Sequence, residues 1–208
     1  MQKVKFHKSC LLFLFLAVIT GQFYLILLSF LLLFVHECGH FFTACLFKWD
    51  AKEITFYPFG GIAKFSSSIN CPIIEELLVL IMGPVTQCVF YLIFKSFLTT
   101  PYQLKLLTLV HYNILVFNLL PIYPLDGGRI IKSILHIRLG NQEAKKYINE
   151  ISNISMFFFT FLCSIAILYF KNIAYFLICI ALWVIIISEN KKFRNDMKIY
   201  DLIKLTNK

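Results

Sequence analysis

The chain has 208 residues, of which 59% are hydrophobic and 15% charged, with a mean hydropathy of +0.77. A soluble domain carries about 25% charged residues, so this composition excludes one and indicates a polytopic membrane protein. The net charge of +9 would suit nucleic acid in a soluble protein, but here the basic residues stand in short loops and tails, where they set orientation and meet anionic headgroups, and no nucleic-acid partner is expected.

Met1 to Lys8 is basic, and from Ser9 to Phe47 the only formal charge is Glu37. As a single helix that stretch would run about 58 Å against a hydrocarbon core of about 30 Å, so the chain must turn back, most simply at Gly21-Gln22. Spans over 9–21 and 22–47 follow. A cleaved leader is the rival reading of the first span, but Ala17-Val18-Ile19-Thr20 is a poor small-residue cleavage site and the next segment is itself membrane-buried.

The second span holds Phe34-Val35-His36-Glu37-Cys38-Gly39-His40. Histidines at i and i+4 lie one turn apart on the same helix face, so both imidazoles can reach one Zn²⁺, with the intervening glutamate beside the open coordination position as a general base. A chance match is the bland alternative. Ionisable residues in a bilayer helix are costly unless they pair or bind something, and that weighs against chance. The seven cysteines show no Cys-x-x-Cys pair and lie mostly within apolar runs, so they read as small buried hydrophobes rather than a disulfide framework; Cys38 points away from the histidine face.

Between Lys48 and Ser68, two β-prone runs flank Pro58-Phe59-Gly60-Gly61. This predicts a short hairpin at the membrane surface, with an ordinary loop as the alternative. Pro72 opens a third span over 73–94 that carries Gly83-Pro84. After a loop from Lys95 to Lys105, a fourth span over 106–124 ends in Asn118-Leu119-Leu120-Pro121-Ile122-Tyr123-Pro124-Leu125-Asp126-Gly127-Gly128. Residues 129–151 are polar and basic and predict a surface helix followed by a loop; spans over 153–170 and 173–188 come last. The expected fold class is an all-α polytopic membrane protein of about six transmembrane helices with a short membrane-associated β-hairpin, in which 1–188 form the membrane core and 189–208 a basic cytoplasmic tail.

Lysine and arginine concentrate in the N-terminus, 48–72, 129–151 and the tail, while the 21–22, 95–105 and 171–172 connections carry only Lys95, Lys105 and Lys171. Both termini are therefore expected in the cytoplasm. Spans two and four then run in the same direction, which puts His36, Glu37, His40 and Asp126 toward the same end. A catalytic zinc needs three protein ligands and an open position. Asp126 is the best third ligand: Pro121 and Pro124 break the helix before it, irregular backbone at membrane depth is tolerated where it lines a polar cavity or packs in protein, and Gly127 and Gly128 allow close approach to a metal. Two alternatives stay open. Asp126 could cap the following helix, or Glu75 or Glu76 could be the third ligand, although those two read more simply as favourable charges at a helix start. His111, inside span four, reads as an interhelical hydrogen-bonding group.

The His36-to-His40 motif, Pro58-Phe59-Gly60-Gly61, Gly83-Pro84-Val85-Thr86-Gln87 and the Asn118-to-Gly128 run resemble, in this order, the motifs of site-2 proteases, a family of zinc intramembrane metalloproteases. The resemblance covers about 34–129 and is most like the family's sporulation branch, whose members process a membrane-associated sigma-factor precursor. It implies zinc held by His36, His40 and Asp126, Glu37 as the base, and a substrate guided by the hairpin with Phe59, Gly60 and Gly61, with Asn118 and Pro121 beside the site. It further implies a membrane-associated protein substrate within the lipid bilayer, inhibitory membrane regulatory proteins, and a multi-pass place in the bacterial cell membrane or the membrane surrounding the forespore. Two departures stand out: Gln87 where many members carry asparagine, and no CBS or PDZ domain within the sequence. A catalytically inactive substrate-binding relative would be expected to have lost Glu37, and a metal transporter would need paired sites along a path and commonly duplicated halves, neither of which the sequence displays.

Overall fold

Apolar runs punctuated by glycine and proline fold into six helices among the residues that the computed structural model describes, which are 3–6, 21, 23–49, 51–57, 60–65, 71–171 and 174–206. In chain order the elements are β1 (Lys3–Phe6), α1 (Phe23–Leu46), β2 (Ala51–Tyr57), β3 (Gly60–Phe65), α2 (Ile73–Phe97), α3 (Pro101–Asn118), α4 (Asp126–Leu139), α5 (Asn141–Phe170) and α6 (Ala174–Thr206). The expected span over 9–21 lies, apart from Gly21, outside the described residues, as does Phe59. The elements divide into two compact units, Met1–Asn118 and Leu119–Lys208.

In the first unit α1, α2 and α3 pack against one another. Buried residues recur at four-residue spacing on the two longer helices, Leu28, Leu32, His36 and Ala44 on α1 and Val79, Gly83, Gln87 and Tyr91 on α2. Such rows are the ridges by which helices interdigitate. Leu28, Leu32, Tyr91, Leu107 and Val110 form the apolar core that joins all three. The end of α1 is closed by Lys48 in the left-handed region (φ 58°), which lets the Trp49 N–H donate back to the Ala44 carbonyl at 3.0 Å. That is the hydrogen bond of a Schellman motif, here without glycine. Beside these helices β2 pairs antiparallel with β3, Thr55 opposite Ile62, and parallel with β1, Lys5 opposite Thr55.

In the second unit α4 packs on α5 and α5 on α6. The chain is irregular over 119–125, so the helix expected to reach 124 stops at Asn118. Pro121 explains the stop, because it disfavours helical backbone at Leu120 and its ring would strike the carbonyl of residue 117. Residues 129–151, expected as a surface helix and a loop, are instead α4 joined to α5 through Gly140 alone (φ 81°). Residues 189–206, set apart in the sequence as a tail, continue α6. Lysine and glutamate are good helix formers, so a fall in hydropathy marks where an apolar span ends and not where the helix ends. Their side chains also tie helices together: Lys145 on α5 meets Asp196 on α6 at 2.6 Å.

Among the described residues, three helices are long and apolar enough to cross a membrane: α1, α2 and the Asn141–Tyr169 stretch of α5. Large apolar side chains face outward along them, among them Phe42, Leu92, Phe157 and Leu168. An apolar exterior of this extent suits lipid and not water, and the protein is an α-helical membrane protein.

Candidate metal centre

His36 and His40 share the face of α1 that meets α2, and His36 is only 1% exposed. Gly83 makes room for the second ring, because a methyl group there would fall on the imidazole of His40. Gly39 similarly lets α1 approach the Met82 carbonyl, and the Thr86 hydroxyl, bonded to Met82 at 2.9 Å, stands at the same crossing.

The hydrogen bonds around the two rings settle where their protons lie. Val79 presents its backbone carbonyl to His40 Nδ1 at 2.8 Å. A carbonyl only accepts, so His40 carries its proton on Nδ1. Gln87 Nε2 donates to the backbone carbonyl of His111 at 3.1 Å, which leaves Gln87 Oε1 facing His36 Nδ1 at 3.0 Å. His36 therefore also carries its proton on Nδ1. With both rings neutral, the state that binds metal, their Nε2 atoms turn lone pairs toward each other, 3.1 Å apart. Two such lone pairs repel unless a cation lies between them. Zinc bound to nitrogen at about 2.0–2.1 Å in tetrahedral geometry separates two ligand nitrogens by roughly 3.3 Å, so this donor pair fits zinc.

Glu37 follows His36 on α1 and is half-buried. In the other unit, Asp126 is the first residue of α4 and is half-buried, with Leu125 in the N-cap position. The backbone leading to it is held by its own turn: the Ile122 N–H donates to the Leu120 carbonyl at 2.7 Å and the Leu125 N–H to the Ile122 carbonyl at 2.8 Å. The Tyr123 N–H donates to Ser152 Oγ on α5 at 2.9 Å. Gly127 and Gly128 are both buried, and a methyl group on either would strike backbone, that of Leu119–Leu120 or of Ile122–Tyr123. Both glycines are thus packed against the turn itself. The same unit holds a cleft of about 560 Å³ walled in part by Tyr123, Pro124, Lys132, Asn149, Ser152 and Asn190.

The structure therefore brings His36 and His40 together within the first unit and sets Asp126 at the head of α4 in the second. Asn118 is the last residue of α3 and Pro121 lies in the irregular turn, both half-buried. Gly60 and Gly61 begin β3, opposite Tyr57 and Phe56. Glu75, an alternative ligand in the sequence, accepts a hydrogen bond from Trp49 Nε1 at 2.8 Å; Glu76 stands beside it in the first turn of α2. His111 does bond between helices, as its place in an apolar span suggested. Sequence reasoning passed over Val79, Gly83 and Gln87 as partners of the histidines. The signal was their spacing, since residues four apart form one stripe of a helix.

Residues 23–102 and 95–162 match the model of peptidase family M50. The chain is 30% identical to stage IV sporulation protein FB of Bacillus subtilis over 148 residues, 69% of this chain and 51% of that one. It is 35% identical to a putative zinc metalloprotease of Synechocystis over 123 residues, 56% of this chain and 32% of the relative. It thus spans about half the length of the first relative and about a third of the second. In structure it resembles the site-2 protease from Methanocaldococcus jannaschii, with a TM-score of 0.63, 25% identity and 90% of each chain covered.

Proposed function

The chain belongs to peptidase family M50, and from that premise we propose that it is a zinc-dependent intramembrane endopeptidase in which His36, His40 and Asp126 hold the metal and Glu37 is the general base. The observation that carries this reading is the approach of the two Nε2 atoms to 3.1 Å of each other on the face of α1 that meets α2.

Zinc, when bound, supplies Lewis acidity to a water molecule and to the scissile carbonyl. Glu37 takes the water's proton and passes it to the leaving amine. The Asp126 carboxylate offsets part of the metal's charge in a low-dielectric setting. The Val79 carbonyl and the Gln87 amide keep the two rings aimed. A helical peptide bond is shielded by its own hydrogen bonds and side chains, so the substrate is cleaved in an extended form. Its strand adds to the edge of the sheet at β3, membrane-associated through the hairpin of β2 and β3, where Phe59, Gly60 and Gly61 guide it and Asn118 and Pro121 flank the cut. Because β3 is an edge strand, such pairing satisfies the substrate's backbone at membrane depth.

The lysine and arginine bias supports six spans, counting 9–21, the α3 region and the start of α6, with both termini in the cytoplasm. Similarity to a sporulation protein supports a role in sporulation, and with the family resemblance of the motifs we take the substrate to be a membrane-associated sigma-factor precursor, the inhibitors to be membrane regulatory proteins, and the place to be the bacterial cell membrane or the membrane around the forespore. The test is co-expression with membrane-tethered sigma-factor precursors, comparing the wild type with Glu37→Gln. Glutamine keeps size and hydrogen bonding but not the base, so zinc content stays near wild type while cleavage falls about 100-fold or more. Near-normal turnover in the variant overturns the proposal.

A further inference from the structure

We infer that Gln87 is a positioning residue of the zinc site, holding His36 in the tautomer that binds metal, and that the backbone carbonyl of His111 sets which way the Gln87 amide faces; the inference rests on the zinc reading above. Gln87 is 0% exposed, and a buried amide is costly unless its polar atoms are bonded. Here each end has a partner on a different helix. Oε1 lies 3.0 Å from His36 Nδ1 on α1, and Nε2 lies 3.1 Å from the His111 carbonyl and 3.3 Å from His111 Nδ1 on α3.

The amide has one workable orientation. Turned over, it would bring Oε1 against the His111 carbonyl, acceptor against acceptor, and would present Nε2 to His36 Nδ1 as a donor, moving the His36 proton to Nε2 and removing the ligand atom. The unturned amide makes His36 Nδ1 the donor and leaves Nε2 as the ligand atom. His111 is itself held: its ring stacks on Tyr91 with centroids 4.1 Å apart and planes 6° from parallel, and the Tyr91 hydroxyl lies 3.1 Å from Thr108 Oγ1. Through this chain α3, which contributes neither histidine ligand, controls the proton position of a ligand on α1.

An acceptor behind a histidine ligand fixes its ring and raises its basicity, and losing such a partner commonly weakens metal binding 10- to 100-fold. Two variants separate this role from simple packing. Gln87→Met keeps length and volume but accepts no useful hydrogen bond. Gln87→Glu keeps the acceptor toward His36 and, when protonated, the donor toward His111. Zinc affinity is measured on full-length protein in detergent by competition with a chromogenic chelator. The inference expects Gln87→Met to bind zinc about 10- to 100-fold more weakly than wild type and Gln87→Glu to stay within about 3-fold of it. A packing role predicts the reverse order, because methionine fills the site and glutamate buries a carboxyl group. Any result in which Gln87→Glu binds no more tightly than Gln87→Met overturns the inference, whereas a wild type that holds no zinc overturns the zinc reading instead.

Discussion

His36 and His40 stand well inside a 24-residue helix, whereas Asp126 opens a 14-residue helix that follows the irregular stretch 119–125. The histidines are positioned by two partners on α2, the Val79 backbone carbonyl and the Gln87 side-chain amide. Asp126 is positioned by backbone: a turn bonded to itself, glycines packed on its carbonyls, and one anchor to Ser152. A regular helix needs only correct facing residues to aim a ligand. An irregular turn must have its own path fixed first. Damage to the two halves should therefore look different, metal loss without unfolding in the first and loss of both in the second.

The largest effect is expected at Gly127. An alanine methyl would press on the Leu119 carbonyl, and backbone cannot rotate aside, so Gly127→Ala should destabilise the protein by about 1–3 kcal/mol and lower zinc occupancy with it. Melting in detergent and metal analysis on the same sample check both. At Gly83 the obstacle is the end of a side chain, the His40 ring. Gly83→Ala should leave the melting midpoint within a few degrees of wild type while weakening zinc about 10-fold or more, because the ring must turn off its Val79 partner. If Gly83→Ala unfolds the protein as readily as Gly127→Ala, the contrast between the halves fails. The smallest effect is expected for Ser152→Ala, which leaves the Tyr123 N–H without its acceptor but keeps every ligand. It should cost about 1 kcal/mol in stability and weaken zinc in the same direction but by less than about 3-fold.

What the sequence made legible follows the same division. His36 and His40 could be read as one face, with Glu37 beside it, because helical period alone places them, and α1 and α2 begin within a residue of the expected spans, at Phe23 and Ile73. The break before Asp126 was readable from Pro121 and Pro124. The partners of the histidines were not singled out, because a periodic pattern says which residues share a face but not which helix that face meets: Gln87 and His36 are 51 positions apart. Nor did hydropathy mark the true ends of α5 and α6. Residues such as Glu143, Lys146 and Lys191 lower the apolar signal while favouring the helix.

The central claim, that Asp126 completes the metal site, is tested most directly by zinc retention in Asp126→Asn. Asparagine caps a helix as well as aspartate does and has nearly its shape, but it removes the charge that offsets Zn²⁺. Purified wild type and variant are dialysed against a mild chelator and their metal content is measured beside cleavage activity. The account predicts that the wild type keeps one equivalent of zinc and the variant loses it together with activity. A variant that retains a full equivalent and still cleaves would contradict the account.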